Sequence, residues 1–473
     1  MGERRHPGVS VFLISMNRVS TKWRSLQARY MLLDQIKHEV AERLESSLHN
    51  AVFTNLLREK QPEQVQRLWD VEVKIGRRSS YQLPVTTSIT QVFDDTDGKL
   101  LILGASGAGK STTLLQLATE LILRAENDDK QPIPVLLNLS SWKDDNQSLI
   151  DWLVAELKSK YSVEVDITKL WIDGRQLSLL LDGLDELKLT RQVECIQATN
   201  QLLERYHSPK HLVVCTRMED YKSCKTYLRL HGAVYLKPLT EKQIQEYLMS
   251  SRSRELWENI KTEPDLLTIA RTPLLLCMMT LAYEEILIHS WKRLTSKEDR
   301  RLYLLNAYVR RMLTRDVKHR CYGKGKEPRP EQTRHWLIWL AKKMKEERQP
   351  EFLIQNIQPC WLQTPTEKWM YRLGVGLILG LMAAVFWGLL GGLSFGLIGG
   401  AITALIAMLV PSIPGIRYFM VRLILWRNGD IPWNYTRFLD YATERLLLQR
   451  VGGRYRFMHD SLHDHFAQMP LNS

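Results

Sequence analysis

Residues 104–112 read GASGAGKST, with the spacing G-x-x-x-x-G-K-[ST] that puts Gly104, Gly109, Lys110 and Ser111 in register. Each residue type has a task in holding a phosphate chain. Glycines let the backbone curl, so that N–H groups along Ala105, Ser106, Gly107, Ala108, Gly109 and on to Thr112 converge on phosphate oxygens. A helix starting at Lys110 adds the partial positive charge of its N-terminus. Lys110 is then placed to bridge the β- and γ-phosphates, and Ser111 to give its hydroxyl oxygen to Mg²⁺.

A second constellation, LSLLLDGLDEL, sends an apolar strand into Asp182, Asp185 and Glu186. Asp182, at the strand's end, is placed to hold the hydration shell of Mg²⁺. A carboxylate just beyond, Asp185 or Glu186, can orient the attacking water; the plainer alternative for these two is a solvated acidic loop. A third stretch, HLVVCTR, ends at Thr216 and Arg217, where parallel sheets bind their ligands. Arg217 is either a γ-phosphate sensor or half of a surface salt bridge. The guanine signature N-K-x-D does not occur, since TKLW at 168–171 lacks the aspartate, which favours adenine. The expected cofactors are therefore ATP or ADP with Mg²⁺. Lys110, Asp185, Glu186 and Arg217 are the catalytic candidates, and Ser111 and Asp182 the metal ligands.

These groups meet only if several strand ends come to one edge of a sheet. Apolar runs at 99–103, 133–139, 177–181, 211–215 and 233–236 alternate with helical stretches near 110–125, 148–160 and 191–206. That alternation predicts an α/β fold with a parallel sheet covered on both faces. Because PIPVLLNL falls between the first two motifs, the sheet is expected to insert a strand between them in space. By analogy this is the additional-strand, catalytic-glutamate class of P-loop ATPases. Upstream, Leu26, Tyr30, Leu33, Ile36, Val40, Leu44 and Leu48 recur at steps of three and four, the mark of a helix with one buried stripe packed on the next domain. The expected domains are a helical arm at 1–71, a nucleotide-binding domain at 72–237 and a helical domain at 238–290. A basic helical arm at 291–370, a transmembrane hairpin at 371–415 and a winged-helix-like unit at 416–473 follow.

The net charge of +13 is concentrated, with 18 Lys/Arg against 7 Asp/Glu at residues 291–350. Six cysteines form no C-x-x-C pair, which argues against a zinc ribbon or a disulfide framework and fits a reducing cytosol. Between Arg372 and Arg417 there is no charged residue. One helix crosses hydrocarbon in about 20 residues, so this stretch suits two crossings, near 373–390 and 393–411. Lys368 and Arg372 flank it before, Arg417, Arg422 and Arg427 after, which places both ends in the cytoplasm. The chain thus reads as a two-span membrane protein that meets lipid through 373–411 and through the basic stretch 291–350. For the basic stretch, a solvated helical face and a nucleic-acid contact are the alternatives, and nucleic acid is not the expected partner. Gly376, Gly380, Ala384, Gly388, Gly392, Gly396, Gly400 and Ala404 recur every fourth residue, a spacing that lets helices approach closely within one hairpin or between protomers. At the N-terminus no small-x-small cleavage site follows the short apolar run, and His6 stands where a myristoylation signal has Ser or Thr. No signal peptide is expected.

Near the C-terminus, YRFMHDSLHDHFAQ interleaves His459, His463 and His465 with Asp460 and Asp464. His459 and His463 are one helical turn apart, a spacing that can put two imidazoles on one zinc ion. Nucleotide contact and ordinary packing are the other readings.

In succession, LLILGASGAGKSTTLLQLA, LLLDGLDEL, VVCTR, PLTEKQIQEYL, RTPLLLCMM and YRFMHDSLHDHFA resemble the NACHT family of STAND-class P-loop NTPases, which includes NOD-like receptors and many bacterial proteins. The resemblance covers about 72–290 and 416–473. Its acidic form D-G-x-D-E is matched by Asp182, Asp185 and Glu186. The resemblance implies that Pro273 packs near adenine. It also implies that His459, in a match to F-x-H-x-S-[FL] completed by Phe457, Ser461 and Leu462, reaches the β-phosphate of ADP; His463 and His465 are then expected on the helix surface. It further implies an ADP-closed, ATP-open switch with slow hydrolysis that self-oligomerises, in a stress or antiviral response. Sensor repeats usually follow the winged helix in that family and none is read here, so sensing is expected to use another part or an unidentified sensor or effector protein, or to be absent. Two other classes compete: a membrane transport ATPase, which would carry more crossings and, if of the ABC type, an LSGGQ-like signature, and a nucleic-acid-binding winged-helix regulator.

Overall fold

A computed structural model describes residues 7–48, 71–75, 81–82, 88–142, 147–204, 208–286, 290–291, 293–294, 296–315, 321–323, 325–347, 349, 351–409, 414–451 and 453–470. The chain divides into two compact units, Met1–Arg311 and Met312–Ser473.

The first unit is built on seven strands: β1 (Val71–Ile75), β2 (Tyr81–Gln82), β3 (Lys99–Gly104), β4 (Ile133–Asn138), β5 (Leu177–Asp182), β6 (His211–Arg217) and β7 (Gly232–Leu236). Their spatial order is β2-β1-β7-β3-β6-β5-β4. The five from β7 to β4 run parallel, and β1 pairs antiparallel with β7 and β2. Leu100, Ile102, Leu180, Leu212 and Val213 are fully buried, as expected of strands covered on both faces. A strand does lie between those carrying the first two motifs, but it is β6. The chain leaves β3 for the edge strand β4 and works back inward through β5 and β6. Helices Lys110–Asn127, Leu149–Tyr161 and Leu189–Glu204 form where the sequence predicts them. The helices Ile89–Asp95 and Val165–Asp173 are too short to give a clear periodic signal.

The N-terminal helix, Pro7–Glu45, packs Leu32, Leu33, Ile36 and Val40 into the core of this unit. Its buried face also carries charge. Glu39 lies 2.8 Å from Lys160 Nζ and 3.5 Å from Arg43, and it accepts a 2.9 Å hydrogen bond from the Tyr161 hydroxyl. Burial alone would raise the Glu39 carboxyl, but Lys160 and Arg43 hold it below its ordinary value. Lys160 also donates to the Leu136 carbonyl (3.0 Å), and Arg29 to the carbonyls of Ala125 and Gln131 (3.0 and 2.9 Å). The helix packs on edge strand β4, whose Leu136 carbonyl is satisfied by Lys160 of helix Leu149–Tyr161. Arg29 satisfies carbonyls at the end of helix Lys110–Asn127 and in the turn after it.

In the second unit, helix Pro330–Glu346 is amphipathic and buries Leu337, Ile338 and Leu340, so this part of the basic stretch is a packed helix. Helices Pro365–Gly391 and Leu393–Leu409 form an antiparallel hairpin, and helix Pro414–Arg427 follows. Pro365–Gly391 is long and apolar enough to cross a membrane; Leu393–Leu409 is apolar but shorter. The small-residue ladder closes within this hairpin. A Cβ on Gly400 would lie 2.7 Å from the Ala384 Cβ, one on Gly380 2.8 Å from the Ala404 Cβ, and one on Gly396 2.7 Å from the Ala384 carbonyl. The unit ends in helix Tyr435–Glu444, an antiparallel pair β8 (Leu448–Val451) and β9 (Arg454–Phe457), and helix Asp460–Gln468. Phe352 bridges to Tyr455 and extends this pair. Buried Arg445 donates to the carbonyls of Met312 and Leu313 (2.8 and 2.9 Å), near the end of a helix where carbonyls otherwise lack partners.

Candidate nucleotide site

β3 ends at Gly104 and helix Lys110–Asn127 begins at Lys110, so the intervening loop is held between a buried strand and a helix N-terminus. Gly107 and Gly109 adopt φ +75° and +94°, which a side chain would resist. Ala105 is exposed and Ala108 buried; Ser106, Ser111 and Thr112 are half-buried along the rim. Lys110 Nζ folds over the loop and donates to the carbonyls of Gly104 and Ala105 at 3.2 and 3.1 Å.

The ends of β5 and β6 bring the acidic and basic candidates beside it. Arg217 pairs with Asp185 at 2.7 Å, and the Asp185 side chain is 7% exposed. Burial pushes the Asp185 carboxyl above its ordinary value; Lys110 and Arg217 pull against this, and Asp182 adds to the rise. Both sequence readings of Arg217 thus bear on one geometry: it sits at the strand-end edge and is in an ion pair, though the ion pair is with the neighbouring motif. Asp182 accepts from the Gly183 N–H (3.0 Å). Gly183 has φ +77°, and a Cβ there would come within 2.6 Å of Asn138 Oδ1 and 2.9 Å of the Glu186 carboxyl carbon.

Asn138 is a residue that the sequence reading passes over. It closes β4 in register with Asp182, and its amide donates to Glu186 at 3.0 Å. The available signal was a polar residue ending an otherwise apolar strand. Pro273 opens helix Pro273–Leu281 and is buried, and the N–H of its neighbour Leu274 donates to the Gly107 carbonyl (3.2 Å). The helical segment is thereby tied to the phosphate loop.

The residues present fit a nucleoside phosphate with its metal. Gly107 and Gly109 curl the loop, while Asp185 lies within electrostatic reach of both Lys110 and Asp182, so two carboxylates stand near the loop as hard oxygen donors. At the end of β6, the Thr216 hydroxyl is buried and has no hydrogen-bond partner among the described residues.

In the second unit, His459 caps helix Asp460–Gln468: its Nδ1 accepts the Ser461 N–H at 3.0 Å, which leaves the neutral ring's proton on Nε2. His463 and His465 do not sit on the helix surface as expected. His463 Nε2 lies 3.0 Å from the Ala341 carbonyl, and burial lowers the ring's pKa. His465 is 6% exposed, and burial, with Arg334 nearby, pushes it down to about 4. The cause is the packing of helix Asp460–Gln468 against helix Pro330–Glu346. Among the described residues no cluster of three or more His, Cys, Asp or Glu could hold a metal ion.

Fold and site together define an α/β P-loop NTPase. Residues 99–255 match the NACHT domain family model, so this chain carries a NACHT-family P-loop NTPase domain. No curated protein matches the chain. A structure of the Drosophila origin recognition complex (ORC) bound to DNA aligns with TM-score 0.27 and 13% identity over 89% of this chain and 92% of that one. The Aeropyrum pernix ORC2 protein in ADPNP–ADP complexes aligns with TM-score 0.26 and 10% identity over 78% and 87%. Likenesses at these scores carry no weight for function.

Proposed function

We propose that this protein is a membrane-anchored ATPase used as an ADP/ATP-dependent signal-transduction switch, with slow hydrolysis as its reset. The observation that carries this is the set of partners that the two site cations have within the protein. Lys110 lies on the carbonyls of Gly104 and Ala105, and Arg217 on Asp185. A γ-phosphate offers Arg217 an anion that ADP lacks, and gives Lys110 a second one beside the β-phosphate. A nucleotide moves a two-state equilibrium only by its differential affinity, and an exchange of partners at Arg217 and Lys110 supplies such a difference. In this reading Ser111 and Asp182 hold Mg²⁺, Asp185 and Glu186 handle the attacking water, and Pro273 borders adenine. His459 reaches the β-phosphate through its Nε2–H and holds the ADP state.

The hairpin lies in the membrane with both of its ends on the cytoplasmic side, and opened protomers self-associate. An unidentified sensor or effector protein supplies the input, in a stress or antiviral setting. If the hairpin is the effector, Gly396→Lys abolishes the toxicity of an activated form and leaves ATP binding intact; retained toxicity removes that role.

The test is the size of the detergent-solubilised protein with ADP, with a non-hydrolysable ATP analogue, and as Lys110→Ala. The expected result is a larger species with the analogue alone, lost in the variant. One size under all three conditions sinks the switch.

A further inference from the structure

We propose that the hairpin enters the bilayer from one face and ends inside it, its turn at residues 391–392 among acyl chains and never in the opposite aqueous compartment. This rests on the reading of the hairpin as a membrane element and sharpens it.

The two ends of the hairpin are chemically unlike. At the base, Trp369, Trp426 and Trp433 are 58%, 47% and 45% exposed. Arg422 lies over the rings of Trp433 and Tyr418 at 5.3 and 5.9 Å, and Trp426 meets Trp433 edge-on at 5.3 Å. Helix Pro414–Arg427 adds this collar directly to the first limb, where a Cβ on Gly374 would collide with Met420. With the exposed Arg372 and Arg427 alongside, the base has the amphipathic rings and cations of a headgroup interface.

The tip carries no charged residue, and its one amphipathic ring, Trp387, lies a helical turn below it at 44% exposure. Leu389, Leu390 and Leu393 are 84%, 68% and 82% exposed, and Ser394 is the nearest hydroxyl. There is no loop to carry into water, because the Gly392 N–H donates to the Gly388 carbonyl and the Gly392 carbonyl accepts from Gly396, both at 3.0 Å. One helix passes into the next through a single residue at φ +87°. Length leaves no surplus either. Residues 373–391 rise about 28 Å and Leu393–Leu409 about 25 Å at 1.5 Å per residue, against a hydrocarbon core of about 30 Å. Holding three leucines in water at the tip would forfeit the gain of burying them in hydrocarbon. The glycine seam is closed within the hairpin, so the outward face of large side chains is left for lipid.

The test uses the full chain with Cys321→Ser, keeping exposed Cys360 as a reference just before the first limb, and adds Leu390→Cys or, independently, Ser394→Cys. Sealed membrane vesicles of each orientation are treated with a charged, impermeant maleimide, then dissolved in detergent and treated again. The expected result is labelling of Cys360 from one side only, with loss of labelling at 390 and 394 from both sides until detergent is added. Labelling of the tip from the side opposite Cys360 overturns the proposal and leaves the membrane reading standing. Labelling of the tip from the same side as Cys360, or release of the wild-type chain from membranes at high salt, overturns both.

Discussion

At the residue scale, the site turns on how Glu186 is aimed. Its carboxylate is held by the Asn138 amide at 3.0 Å, while Asp185 is occupied with Arg217 at 2.7 Å, so the adjacent acids have different surroundings. Glu186 is exposed and Asp185 largely buried, which gives Glu186 the better access to water. Glu186→Gln is expected to slow single-turnover hydrolysis by about 10²-fold or more, in the range of a lost general base, with nucleotide affinity retained. Asn138→Ala should slow the same step by about tenfold, a fraction of the general-base effect, without weakening binding of a fluorescent ATP analogue. A parallel loss of affinity would reduce Asn138 to a structural residue. The carboxylates and the phosphate loop were legible in the sequence, because local spacing along one strand end defines them. Asn138 was not, since its relation to Glu186 runs across neighbouring strands.

At the scale of elements, the N-terminal helix shows how a correct period can hide the energetics. Leu33, Ile36 and Val40 are buried where the stripe predicts, yet Tyr30 is mostly exposed and Glu39, Arg29 and Arg43 are buried. Removing one member of a buried charge cluster leaves the others unpaired, at a cost of about 3–5 kcal/mol. Glu39→Leu alone should therefore lower the chemical-denaturation midpoint sharply, and the double variant Glu39→Leu, Lys160→Met should recover part of the loss. If the double variant is no better than the single one, the helix is held by its apolar contacts. In the hairpin, Gly400→Leu puts a branched side chain where the Ala384 Cβ is 2.7 Å from even a first carbon. The limbs should splay, which the loss of an inter-limb disulfide introduced at the seam would detect.

At the scale of the whole molecule, the two units face acid differently. His465 has a folded-state pKa pushed down to about 4. From its ordinary value near 6.5 down to about 4, the unfolded chain binds a proton that the folded chain refuses, so stability falls with pH through that window and levels off below it. The full effect is about 3 kcal/mol at 1.36 kcal/mol per pH unit. His463, also lowered, acts in the same direction. The transition of the C-terminal unit should accordingly drop between pH 6.5 and 4, and His465→Gln should flatten that slope. An unchanged slope in the variant would place the acid sensitivity elsewhere. Glu39, held low, adds stability above the ordinary carboxyl range that is lost as pH falls through its own lower value.

By itself the sequence determined the phosphate loop, the five parallel strands, the D-G-x-D-E carboxylates and the apolar hairpin. Each of these is written in neighbouring residues, as a spacing, a period or a run, and local chemistry suffices to read it. Only the tertiary structure decided that β6 is the inserted strand, that Asn138 holds Glu186 and that Leu274 ties the helical segment to Gly107. It alone decided that His463 and His465 are packed inward and that the glycine ladder is spent within one hairpin. These depend on which surfaces of distant segments come together, and contacts between distant segments leave no fixed interval along the chain.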